Sequence, residues 1–159
     1  MSKIKEILED NKSIIAFDVD GVLAPLEYGE YNHYYANDEE WAEEIERGTD
    51  FYDDVRVVKT MKDFIDTKDI NNIYVITKAM NEKEFECKIR FLTKNYGILK
   101  DNCYMVYKDN EKLDKLNEIK KITNVEDKYI VMVEDTVSIL NHIMENSNYT
   151  TVHISTFMK

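Results

Sequence analysis

Five short segments rich in Ile, Val, Tyr and Phe recur along this chain of 159 residues and constrain its fold more than any other feature. None alternates apolar with polar residues, so each is suited to burial on both faces of a sheet. Segments with apolar residues at helical spacing separate them. This alternation predicts an α/β fold with three layers, in which helices cover both faces of a parallel sheet. The predicted strands lie at 13–17, 72–77, 102–107, 129–133 and 150–154, and the predicted helices at 55–65, 85–96, 113–119 and 137–143.

The segment 26–54 interrupts this alternation of strands and helices. It carries Trp41, Phe51, Tyr52 and four further tyrosines among many carboxylates, and Arg47 is its only basic residue. It is too long for an ordinary strand-to-helix loop, which takes about 2 to 6 residues. We interpret it as a small aromatic, acidic lid inserted after the first strand, partly helical around 38–46. The alternative is a solvated acidic helix whose aromatic residues pack on the domain.

The length and charge of the chain limit its organisation and its partners. A chain of 159 residues is expected to form a single domain, spanning 1–159. Its net charge of −11 repels polyanions, so we expect neither a nucleic-acid polymer nor a membrane surface as a partner. Residues 1–11 are charged and lack the apolar core of a signal peptide, which predicts a cytoplasmic protein with reduced thiols at Cys87 and Cys103.

Two carboxylates follow the first predicted strand directly. Asp18 and Asp20 end the apolar run that starts at Ile14, and Gly21 comes next. Ligands of open α/β sheets bind just beyond the carboxyl ends of the strands, where this acidic pair would emerge. The alternative is a surface turn, because Asp-Gly is a common turn dipeptide.

These residues resemble the opening motif of the haloacid-dehalogenase-like (HAD) hydrolase superfamily, an apolar strand followed by Asp-x-Asp-Gly-Val or Asp-x-Asp-Gly-Thr. That superfamily also has a Ser or Thr at the end of its second strand, a later lysine, and an acidic motif at the end of its fourth strand. Thr77, Lys112 and Asp135 occupy matching positions in this chain. The resemblance implies a Rossmann-like sheet with the first strand central and the fourth beside it, and a phosphatase that depends on Mg²⁺.

The resemblance also implies a role for each of these residues. Asp18 would attack phosphorus to form an aspartyl-phosphate, and Asp20 would act as general acid and then as general base. Thr77 and Lys112 would bind the phosphoryl group. The Mg²⁺ ligands would be the Asp18 carboxylate, the main-chain carbonyl of Asp20, and Asp135.

Some of these assignments have alternatives within the sequence. Lys108 is an alternative to Lys112, and Lys115 is also near the end of the third strand. Asp135 could instead be an acid stabilised at a helix N-terminus. Glu134 departs from the Gly-Asp or Asp-Asp of many superfamily members, and we assign it only a supporting position behind the metal ligands.

Other polar residues carry weaker signals. Thr77 could be merely a residue of high β-propensity at a strand end. The three histidines are scattered and unpaired, and we interpret them as structural or surface residues; they are His33, His142 and His153.

The sequence narrows the substrate only to a class. The charged and aromatic stretch 84–97 is loosely similar to a helix of the 5′(3′)-deoxyribonucleotidase subgroup, although an ordinary amphipathic helix ending at Gly97 explains it equally well. We therefore expect a small phosphorylated metabolite, either a nucleotide or a sugar phosphate. The rival hypothesis is a catalytically silent HAD-like module that binds or regulates a partner through the lid.

Overall fold

The computed structural model of the protein describes residues 2–25 and 37–158. Within them, five strands form one sheet in the order β3-β2-β1-β4-β5, and every neighbouring pair is parallel. The parallel sheet and the central position of the first strand, with the fourth beside it, confirm the prediction. Each strand lies within one residue of its predicted bounds: β1 Ile14–Phe17, β2 Ile73–Lys78, β3 Cys103–Val106, β4 Ile130–Glu134 and β5 Thr150–His153.

Six α-helices connect and cover the strands in the described residues. The last four follow the apolar periodicity of the sequence, and α2 coincides with the helix expected around 38–46. The first helix was not predicted; Ser2 caps it by accepting a hydrogen bond from the Lys5 amide at 3.3 Å. Within residues 2–25 and 37–158, none of the helices has the length and apolar character needed to cross a membrane. Their bounds are α1 Lys3–Glu9, α2 Asp38–Glu46, α3 Lys59–Asp66, α4 Glu82–Tyr96, α5 Lys112–Thr123 and α6 Val137–Asn146.

Alternate residues of the strands belong to two separate apolar clusters. Ile15 and Phe17 of β1 pack in a cluster that includes residues of α1, α2, α3 and α4. Ile14 and Ala16 belong to the other cluster, with residues of α5 and α6. Because successive side chains of a strand point to opposite faces, the sheet is covered by helices on both sides. This confirms the three-layer arrangement.

The described part of segment 26–54 packs on the domain. Phe51 and Tyr52 are fully buried, and the Trp41 ring stacks on Phe51 with 3.7 Å between centroids. The described residues do not show a lid, and residues 37–54 agree with the alternative of an acidic helix whose aromatic residues pack on the domain. The remaining residues, 26–36, which include His33 and four tyrosines of the predicted lid, lie outside the described residues.

Candidate active site

Three acidic residues meet at the carboxyl ends of the two central strands. Asp18 follows β1, Glu134 ends β4, and Asp135 follows Glu134. The register pairs Phe17 with Val133, and the Asp18 amide donates to the Val133 carbonyl at 3.0 Å. One carboxylate oxygen from each acid lies within 4.8 Å of the other two. The acids at the tips of β1 and β4 therefore lie together.

Lys112 joins this cluster from the first residue of α5. Its side chain is buried, and Nζ donates to Asp18 Oδ1 at 3.0 Å and to Glu134 Oε2 at 2.7 Å. The two alternative lysines lie elsewhere: Lys108 is exposed, and Lys115 forms an ion pair with Glu118 at 3.1 Å. Among the three candidates, Lys112 is the lysine that contacts the predicted nucleophile.

The pKa shifts in the cluster arise because it buries more acidic groups than lysines. Burial raises the pKa of Asp18, and Lys112 partly offsets this effect. Burial and the charge of Asp18 raise the pKa of Glu134 to about 9. Burial by itself lowers the pKa of Lys112, but Asp18 and Glu134 outweigh it and raise that pKa above its ordinary value. The cluster therefore favours an additional cation.

Glu134 lies deeper than the other two acids and supports the turn from β4 to α6. It is fully buried, and its Oε1 accepts hydrogen bonds from the amides of Asp135 at 3.0 Å and Thr136 at 3.3 Å. Its other oxygen accepts from Lys112. Both oxygens are thus engaged in holding the groups around Asp135 and Asp18, which fits a position behind the metal ligands.

Asp20 is held by two buried side chains that sequence reasoning missed. Its Oδ2 accepts from Lys88 Nζ at 2.8 Å, and its Oδ1 accepts from the Tyr52 hydroxyl at 2.6 Å. Lys88 also donates to Thr77 Oγ1 at 2.9 Å, and both Lys88 and Thr77 are fully buried. One signal pointed to Lys88: it precedes Phe91 by three residues and Leu92 by four, so it lies on the apolar face of α4. Nothing in the spacing of Tyr52 pointed to Asp20.

Gly21 lets the loop after β1 approach Asp135. Its φ is +79°, a left-handed conformation that favours glycine. A Cβ atom at this position would lie 2.1 Å from Asp135 Oδ2. The glycine that follows the two aspartates is therefore required by both conformation and space.

A cleft of about 410 Å³ lies over the acidic cluster. Asp18, Asp20 and Asp135 face it together with Lys112, and its walls also include Lys78, Asp109, Thr136 and Ile139. The cleft combines hard anionic ligands and two ammonium groups with a small apolar surface. Such a site can accept a compact anion and a small organic group attached to it.

The residues present fit a hard divalent cation. The cluster offers only carboxylate oxygens, the ligand type that Mg²⁺ prefers, and its three acidic residues outnumber the one lysine that joins them. Asp18 and Asp135 are the two carboxylates suited to ligation, because both oxygens of Glu134 already accept hydrogen bonds. The position of Asp135 against Gly21 aims its carboxylate at the loop that carries Asp18.

Comparisons with known proteins give a distant structural likeness. No protein-family model and no curated protein matches the chain. A solved structure of the HAD domain of effector protein Lem4 from Legionella pneumophila is 12% identical over 89% of this chain and 84% of that chain, with a TM-score of 0.45. The inactive mutant of the same domain is 11% identical over 91% of this chain and 84% of that chain, with a TM-score of 0.47. At this distance any account of activity depends on the geometry of the site itself.

Proposed function

We propose that this protein is a HAD-type phosphatase that depends on Mg²⁺ and hydrolyses a small phosphomonoester through an aspartyl-phosphate on Asp18. The observation that carries the proposal is the contact of Lys112 with Asp18 inside the carboxylate cluster at the ends of β1 and β4. Burying ionised groups together is costly, and perturbed carboxylates in a cleft are typical of catalytic sites. The order of Asp18, Thr77, Lys112 and Asp135 along the chain supports the HAD assignment.

In the first step the Asp18 carboxylate attacks phosphorus, and a new bond forms between its oxygen and the phosphorus atom. The bond from phosphorus to the leaving-group oxygen breaks, and that oxygen takes a proton from Asp20. Lys112 holds Asp18 in place and neutralises part of the charge on the transferring group. The Thr77 hydroxyl oxygen accepts from Lys88, and its proton is donated to the Lys78 carbonyl at 3.3 Å. Thr77 would donate that proton to a phosphoryl oxygen by exchanging this long hydrogen bond for one to the substrate.

In the second step water attacks the phosphorus atom of the acyl-phosphate. Asp20 accepts a proton from that water, and the bond from phosphorus to Asp18 breaks. Inorganic phosphate leaves, and both aspartates return to their starting protonation states. The exposed fraction of the Asp20 side chain, 41%, gives it access to water and to the leaving group in the cleft.

Asp18, Asp135 and the main-chain carbonyl of Asp20 are the groups that would hold Mg²⁺. When bound, the ion supplies positive charge that offsets the repulsion between a carboxylate nucleophile and a phosphate ester. Glu134 would contribute by fixing Lys112 and the turn that carries Asp135.

The expected substrate is a nucleotide or a sugar phosphate. A cleft of about 410 Å³ matches a small phosphate ester, and the net charge of −11 disfavours a polyanion. We therefore propose a small phosphorylated metabolite in the cytoplasm as the partner, with neither nucleic-acid polymers nor membranes involved.

The test is hydrolysis of p-nitrophenyl phosphate by the wild type and Asp18→Asn, each with Mg²⁺ and with EDTA. We expect wild-type turnover that requires Mg²⁺, and a loss on the order of 10⁴-fold in Asp18→Asn because the nucleophile is removed. Asp66→Asn, an exposed acid at the end of α3, is the matched control and should retain wild-type activity. Equal inertness of the wild type and Asp18→Asn across a panel of phosphate esters would favour the silent binding module instead.

A further inference from the structure

A fully buried lysine lies next to the site and was given no catalytic role by the sequence motifs. Lys88 is in the middle of α4 with no exposed surface. Its ammonium group donates to three oxygens: Asp20 Oδ2 at 2.8 Å, Thr77 Oγ1 at 2.9 Å and the Lys78 carbonyl at 2.5 Å. A lysine ammonium has three protons, so each of them has a partner.

Burial of the Lys88 ammonium group costs free energy, and a gain in fold stability alone does not account for it. An ammonium group removed from water loses its hydration, and a well-packed apolar residue of similar volume is often as stabilising as a buried ion pair. Lys88 lies on the apolar face of α4, where such a residue would fit the pattern of its neighbours Phe91 and Leu92. The only carboxyl group among its three partners is that of Asp20, the proposed acid and base.

Tyr52 holds the same carboxylate from the other side. Its hydroxyl donates to Asp20 Oδ1 at 2.6 Å, and its ring lies 5.7 Å from Lys88 Nζ. Lys88 and Tyr52 come from different parts of the chain and are both buried, so each oxygen of Asp20 has a buried donor. The Asp20 side chain nevertheless remains 41% exposed and lines the cleft.

We infer that Lys88 is a positioning residue which, together with Tyr52, orients Asp20 toward the leaving-group oxygen and ties it to Thr77 beside the phosphoryl group. The inference rests on the proposed function and adds a residue to it. Proton transfer requires the carboxyl oxygen at hydrogen-bond distance from the leaving oxygen, and misplacement of a catalytic group by about 1 Å can lower a rate roughly 10²-fold.

If the inference is correct, the rate lost on removing Lys88 depends on the leaving group of the ester. A good leaving group such as p-nitrophenolate departs without protonation, whereas an alkoxide needs a proton from Asp20 as the bond breaks. Attack by Asp18 is affected less, because Lys112 bonds that carboxylate directly and Lys88 acts on it only through its charge. Loss of Lys88 should therefore affect alkyl esters far more than p-nitrophenyl phosphate. General damage to the fold would lower both rates alike.

The experiment compares kcat/KM for p-nitrophenyl phosphate and benzyl phosphate in the wild type and Lys88→Met. We expect a loss of about 10²-fold or more on benzyl phosphate, within the range that general acid catalysis supplies, and less than about 10-fold on p-nitrophenyl phosphate. The matched control is Lys94→Met, the same change at an exposed position of α4, which should leave both values unchanged. Equal losses on the two esters would overturn the inference.

A double-mutant cycle tests whether Lys88 acts through Asp20. In the Asp20→Asn background, Lys88→Met should cause little further loss on benzyl phosphate, because the group it positions has been removed. Full additivity of the two losses would contradict the inference. If Lys88→Met does not fold, Tyr52→Phe takes its place, since it keeps the buried ring and deletes only the hydroxyl bonded to Asp20.

The result for Asp18 separates this inference from the proposed function. Asp18→Asn should abolish hydrolysis of both esters, whatever the leaving group. An inert wild type would refute the proposed function and this inference with it. An active wild type whose Lys88→Met variant keeps the same ratio of the two kcat/KM values would refute the inference alone.

Discussion

Gly21 shows how one residue can determine both a backbone conformation and the geometry of a site. Its φ of +79° would strain any other residue by about 1 to 2 kcal/mol. Gly97, the residue after α4, has a similar φ of +68°, but a Cβ atom there would have no neighbour within 4 Å. The two glycines therefore share the conformational requirement, and only Gly21 also lies against Asp135.

Substitution of these two glycines separates strain from damage to the site. Gly97→Ala should lose about 1 to 2 kcal/mol of unfolding free energy, and Gly21→Ala should lose more, because its Cβ atom also overlaps the Asp135 carboxylate. Only Gly21→Ala should lose phosphatase activity and the rise in melting temperature that Mg²⁺ causes in the wild type, because its Cβ atom displaces Asp135. Thermal melts with Mg²⁺ and with EDTA measure this difference. The account would be wrong at this residue if both variants kept the Mg²⁺ response.

Individual side chains of the site differed in how far the sequence could predict them. Asp18 and Asp135 could be found because each follows a strongly apolar strand, and parallel strands end at the same edge. Lys88 and Tyr52 reach Asp20 from α4 and from the segment after α2, and only tertiary packing brings those elements together. Contacts of this kind leave no regular spacing in the sequence.

Helix α2 is attached to α4 by an exposed ion pair between Glu46 and Lys83 at 2.7 Å and by a part-buried hydrogen bond from Trp41. Trp41 Nε1 donates to Glu84 Oε1 at 2.5 Å, and the other Glu84 oxygen accepts from the Met80 amide. The Trp41 ring lies 3.7 Å from Phe51 and nearly parallel to it. Because Trp41 is the chain's single tryptophan, its fluorescence reports on this attachment.

Unfolding in urea tests the attachment of α2. In the wild type, the transitions seen by tryptophan fluorescence and by far-UV circular dichroism should coincide, since α2 unfolds with the domain. In Glu84→Ala, the fluorescence midpoint should fall below the dichroism midpoint, because α2 detaches first. Glu86→Ala, at an exposed position of α4, should keep the two midpoints together. Separate transitions in the wild type would contradict the docked arrangement.

Strands and helices could be predicted from the sequence where their burial leaves a regular pattern of apolar residues. The strands lack alternation because both faces are covered, and the sequence located each to within one residue. Helix α1 was missed because seven residues offer too few apolar positions to establish a period. For α2 the sequence left two alternatives open, a lid and a helix packed on the domain, since its acidic residues are consistent with both.

At the scale of the whole molecule, the order of the strands determines which candidate site residues lie together. The adjacent strands β1 and β4 bring Asp18 next to Glu134 and Asp135, and α5 begins at the same edge with Lys112. The net charge of −11 surrounds this site with a negative field, which favours a small substrate held by specific contacts over a polyanion. The chain thus combines an acidic net charge with a proposed site for phosphate, where local cations would have to offset the repulsion.

The measurement that tests the central claim most directly is detection of a phosphoryl group on Asp18. Protein mixed with Mg²⁺ and p-nitrophenyl phosphate is quenched in acid during turnover and treated with borohydride, which reduces an acyl-phosphate to an alcohol. The account predicts that mass spectrometry of the peptide will show homoserine at position 18, and that an Asp20→Asn variant will accumulate more of it because hydrolysis is slowed. Turnover without modification of Asp18, or modification at another carboxylate, would contradict the account.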